Sequence, residues 1–119
     1  MTTKEINTMV AAIGLPYSYY QFPDGTEQAP PFICFFYTAG DDFYADGVNY
    51  ARISGLEIEH YCDEPDFATD RAIGELLNEY GLTYVPTPPV YIKEERMWVS
   101  RFSAEVVIDE PESETEEET

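Results

Sequence analysis

The stretch Trp98–Ile108, WVSRFSAEVVI, alternates cleanly, with Trp98, Phe102, Ala104, Val106 and Ile108 on one side of an extended chain and Val99, Arg101, Ser103, Glu105 and Val107 on the other. A strand with this period turns one face to a core, and the rest of the sequence has to supply what covers it. Working back along the chain, GLTYVPTPP from Gly81 reads as an extended segment that follows a helix stop. The helix before it carries Ile73, Leu76, Leu77 and Tyr80 at helical spacing, with Asp63, Glu64 and Asp66 around Pro65 placed in its first turn, where acids complement the macrodipole. Near the start of the chain, Thr2 with Glu5 matches a capping box, and Ile6, Met9, Val10 and Ile13 recur on one helical face before a glycine cap at Gly14. GLPYSYYQF then repeats the pattern of a glycine stop leading into a Tyr-rich extended segment.

Between these units, FICFFY from Phe32 to Tyr37 is apolar on both faces and reads as a central strand, and Val48 to Tyr61 reads as a long strand. The apolar phase of the latter shifts between Ile53 and Leu56 across Gly55, as a bulge would do. The expected fold is therefore α+β in the order αβββαββ, with two helices on one face of a mostly antiparallel sheet, in one domain over residues 1–108.

Residues 109–119, DEPESETEEET, hold seven acids and no apolar residue, so they are expected to form a disordered acidic tail. The whole chain has 24 acidic against 6 basic side chains, a formal net of −18; without the tail it keeps 17 against 6, or −11. That balance argues against binding nucleic-acid backbones, where Lys and Arg supply the affinity. The first ten residues lack a basic region followed by an apolar one, and no later run approaches the ~18 apolar residues of a span, so a soluble protein made in the cytoplasm, without membrane contact, is expected.

Sequences that carry chemistry are weak here. A calcium loop opening at Asp42 would place Tyr44 and Ile53 at two ligand positions. His60 and Cys62 do not complete a zinc set. Cys34 with His60 would make a nucleophile and base, but Cys34 sits mid-strand, where a thiol is usually inert core. Asp41 and Asp42 have no visible oxyanion site beside them. No enzyme, no metal and no cofactor are expected.

The ten Tyr and seven Phe exceed what a small core needs, and Tyr19, Tyr20, Phe43, Tyr44 and Tyr91 lie in or beside loops, an interface composition. AGDDFYADG, between Thr38 and Val48, reads as a projecting hairpin or long loop turned by Gly40 and Gly47. Phe43 and Tyr44 at its tip have no core within their own segment, which makes Asp41, Asp42, Phe43, Tyr44 and Asp46 the candidate subunit-interface residues.

The segments IGLPYSYYQF, PPFICFFYTAGDDFYADGVNY, EIEHYCDEPD, GLTYV and IKEERMWVSRFSAEVVI, in this order from Ile6 to Ile108, resemble the tail terminator, or tail completion, proteins of long-tailed bacteriophages. The resemblance implies a tail-tube-like fold and a structural role. Such a protein forms a hexameric ring in the neck of the virion that caps the tail tube, ends tube polymerisation and joins tail to head. Its partners are further copies of itself, the tail tube protein and a head completion or connector protein, with DNA passing through without specific binding. The acidic tail has no counterpart in the family pattern. Two other readings stay open: a different head–tail connector or minor capsid protein, and an acidic mimic of DNA that inhibits a host nuclease.

Overall fold

The computed structural model describes residues 1–21, 28–38 and 52–108. Along the chain these form α1 (Thr3–Ala11), β1 (Tyr17–Tyr19), β2 (Phe32–Thr38), β3 (Arg52–Cys62), α2 (Phe67–Glu79), β4 (Tyr84–Ile92) and β5 (Met97–Ile108). The result is an α+β fold with a five-stranded mixed sheet in the order β1-β2-β3-β5-β4. β1 runs parallel to β2, and the other pairings are antiparallel.

Local chemistry sets the helix ends. The Thr2 hydroxyl accepts from the Glu5 N–H at 3.1 Å and the Thr2 N–H donates to Glu5 Oε1 at 2.9 Å, which completes the capping box of α1. α1 ends at Ala11 with Ala12 as its C-cap, so the left-handed Gly14 (φ 91°) turns the chain toward β1 two residues beyond the cap. α2 starts later than its acids implied: Asp66 is its N-cap, accepting from the Thr69 N–H at 3.1 Å and the Thr69 hydroxyl at 2.7 Å. Asp63 and Glu64 therefore precede the helix, and the first-turn acid is Asp70. Hydrogen bonds from the Thr69 hydroxyl and N–H hold the Asp66 carboxyl below the usual carboxylate range. At the other end, the Gly81 N–H reaches Asn78 O and the Leu82 N–H reaches Leu77 O, with Gly81 left-handed at φ 78°, which is a Schellman stop.

Both helices pack on the same sheet face. Ile6, Met9 and Val10 of α1 and Ile73 and Leu77 of α2 join Ile33 and Phe35 of β2, Leu56 and Ile58 of β3, and Phe102, Ala104 and Val106 of β5 in one buried cluster. The even-numbered side of β5 is thus the covered side, as its alternation predicts. Gly55 does not mark a bulge. Pairing of β3 with β5 runs unbroken from Arg52↔Ile108 to Cys62↔Trp98. A Cβ there would fall on Thr38 Oγ1, opposite it on β2, so the glycine leaves room for that hydroxyl in its present rotamer.

Candidate functional site

Asp41, Asp42, Phe43, Tyr44 and Asp46 lie outside the described residues. The strands that flank their segment are adjacent and antiparallel, with Thr38 opposite Gly55. The acidic tail, residues 109–119, likewise lies outside them.

Among the described residues, six of the nine large exposed apolar side chains lie at the two opposite edges of the sheet, while Phe67 and Tyr80 at the ends of α2 and Val107 on β5 lie elsewhere. At the β1 edge, Tyr17 and Tyr19 lean on Phe35, with ring centroids 6.4 and 5.3 Å away, and Tyr19 also meets Tyr37 at 5.5 Å. The Tyr37 N–H donates to the Tyr19 hydroxyl at 3.2 Å. Tyr20 adopts a left-handed φ of 73°, which carries it round the edge onto Phe36 of the opposite sheet face, with centroids 5.5 Å apart. Tyrosines thus wrap both sides of β2, and the outermost, Tyr20, is 66 % exposed.

The β4 edge is different in kind. Val85 (67 % exposed), Val90 and Tyr91 stand out from a strand interrupted by Pro86, Pro88 and Pro89, and its register against β5 shifts between Thr87 and Val90. Proline has no N–H to offer a further strand, so β4 resists sheet extension and presents side chains instead.

The sheet face away from the helices carries a closed polar network. Glu59, only 8 % exposed, accepts from Arg101 Nε at 3.0 Å, Arg101 Nη2 at 2.8 Å and the Tyr61 hydroxyl at 2.9 Å. The Ser103 hydroxyl donates to Glu57 Oε1 at 2.8 Å. Burial, then the bond to Glu59, pushes the Tyr61 hydroxyl above its ordinary range. Cys34, opposite Glu59, is pushed up to about 11 by burial, reinforced by the negative charges of Glu59 and Glu95.

On the helix side, His60 is fully buried; its Nδ1–H donates to Asp70 Oδ1 at 2.8 Å, and the Ser100 hydroxyl donates to Asp70 Oδ2 at 2.7 Å. Cys34 and His60 therefore stand on opposite faces of the sheet, with Ile33 rather than Cys34 paired to His60. The thiol near His60 is Cys62, whose sulfur lies 3.4 Å from Nε2 and 3.7 Å from Nδ1. Near-equal distances put it against the ring, away from the outward axis of Nε2. Burial, then the charges of Asp70, Asp66 and Asp63, pushes that thiol up to about 11, the reverse of the shift an activated nucleophile needs. Sequence reasoning noticed His60 but missed Asp70, which carries no motif and is identified only when α2 is laid across β3 and β5.

Both cysteines are free and buried, and among the described residues no group of three metal-ligating side chains forms. No described helix is long and apolar enough to cross a membrane. No family model matches the chain, and no curated protein matches it.

Proposed function

We propose that this protein is a structural subunit of a long-tailed bacteriophage: a tail terminator, of terminator-like fold, that forms a ring in the virion neck, caps the tail tube, ends its polymerisation and joins tail to head. The observation that carries the reading is the pair of unlike apolar patches at opposite edges of one sheet, tyrosines at β1 and valines beside prolines at β4. Four strand spacings separate them, about 19 Å at ~4.8 Å each. A patch that meets a different patch on the next copy makes a heterologous contact, and repetition of such a contact closes into a ring when the rotation allows. The net charge of −18 supports the same reading, since a wall of carboxylates lets DNA slide past without adhering. The reading assigns the protein no catalytic step, and six subunits follow from the resemblance alone.

The decisive experiment removes the protein from a producing cell. Particles assembled without it should carry tubes of uncontrolled length, or heads and tails that fail to join, and density for it in complete particles should form one ring between tube and head. Normal tails in its absence, or isolation of a stoichiometric complex with a nuclease, would overturn the terminator reading.

A further inference from the structure

We infer that the groove between the end of α1 and the outer side of α2 docks a basic amphipathic segment of another protein chain. The groove is lined by Ala12 and Ile13, just past the end of α1, and by Thr69, Ala72 and Leu76 of α2, with the exposed Glu75 and Glu79 on its rim. Its volume is about 220 Å³. That is below the ~300 Å³ at which small-molecule pockets begin, and several times the ~30 Å³ share of one water. It fits one or two large apolar side chains presented by a protein. The small side chains of Ala12 and Ala72 hold the space open.

The rim decides the partner's charge. Glu75 and Glu79 are one helical turn apart, a spacing at which like charges repel. They stand toward the C-terminal end of α2, where the macrodipole is already negative, and the C-terminal end of α1 meets the same groove. Neither helix has a basic residue in its last turn. Arg71 stands one turn before Glu75, yet neither Glu75 nor Glu79 takes part in an ion pair among the described residues. Three unfavourable terms thus converge on a slot whose lining is about equally apolar and polar, and a lysine or arginine flanking the inserted side chain would relieve all three. A helix with leucine-like anchors three or four residues apart and basic neighbours matches this surface. The inference is independent of ring formation and holds whichever assembly the protein enters.

The test uses the full chain labelled with ¹⁵N and a synthetic helical peptide of leucine anchors on a lysine background. Amide shifts should concentrate at Ala12, Ile13, Ala72 and Leu76. The double variant Glu75→Gln, Glu79→Gln, which keeps the shape and removes the charge, should bind about tenfold more weakly, as expected when two screened charge pairs are lost. Ala72→Trp, which fills the slot from an exposed helix position, should abolish the shifts. A peptide with its leucines changed to alanine keeps the charge and should not bind. Equal binding of that peptide, shifts spread over the acidic surface, or unchanged binding by the glutamine variant would overturn the proposal.

Discussion

His60 of β3 and Asp70 of α2 meet at 2.8 Å, and because the same carboxylate also takes the Ser100 hydroxyl at 2.7 Å, one acidic side chain ties a helix to the two central strands. Asp70→Ala leaves a fully buried imidazole N–H and a buried hydroxyl without their acceptor, and should destabilise the fold by about 3 kcal/mol. Ser100→Ala removes one donor and leaves the His60 bond intact, so its cost should be about 1 kcal/mol. Urea denaturation with the slope held constant measures both. Equal losses for the two variants would show that the carboxylate does not organise the cluster.

The electrostatic conflict at the end of α2 has a measurable sign. Glu79→Lys replaces a repelling charge with one that complements the dipole and pairs one turn back with Glu75, a gain of about 0.5–1 kcal/mol. The thermal midpoint should rise by a few degrees while affinity for the basic peptide falls. A change that strengthens the fold and weakens binding separates a docking surface from a structural one, since a structural role would move both together.

Both thiols should be silent in the native protein. Iodoacetamide at pH 8 should leave the mass of the folded chain unchanged and add two groups once denaturant is present. Burial favours the neutral thiol in the folded state, raising Cys34 and Cys62 from an ordinary value of 9.0 to about 11. Their contribution to stability is therefore complete below the unfolded value and is lost as pH rises toward 11. The midpoint should fall between pH 9 and 11, and fall less in Cys34→Ala, whose midpoint at pH 7 is itself lower. A parallel fall in the two proteins would remove Cys34 from the effect.

Self-association tests the edges. Tyr20→Ser with Val85→Ser changes two side chains that are each about two-thirds exposed, so circular dichroism should not alter, while sedimentation should show a smaller assembly. Phe43→Ser with Tyr44→Ser tests the intervening segment in the same way. Unchanged assembly in both pairs would take the edges and the segment out of the contact.

What the sequence made legible were the features written within a few residues. The capping box joins Thr2 to Glu5, and the period of β5 needs only its own side chains to assign the covered face. Gly55 was misread because the local pattern shows a change of apolar phase but not Thr38, which presses on it from the neighbouring strand. The start of α2 was placed early because acids on either side of Pro65 look alike until one of them, Asp66, receives the Thr69 hydrogen bonds. The exposure of Tyr19, Tyr20 and Tyr91 was legible from their number and position, whereas the turn of Tyr20 onto Phe36 depends on a backbone angle that no composition announces. Parallel pairing of β1 was hidden because a three-residue strand has too little pattern to fix its direction.

The place of β5 in the sheet has a consequence for synthesis. It enters between β3 and β4, and it supplies Phe102, Ala104 and Val106 to the core. A nascent chain emerging from the ribosome through β4 therefore holds two strands that do not pair with each other, with Leu56 and Ile58 lacking their partners on one side. The covered face closes only when Met97–Ile108 has cleared the exit tunnel and slides into the gap, so folding is held back to the last segment of the domain. Until then the edges of β3 and β4 that β5 covers have no strand beside them, and such open edges are the ones that pair with other chains.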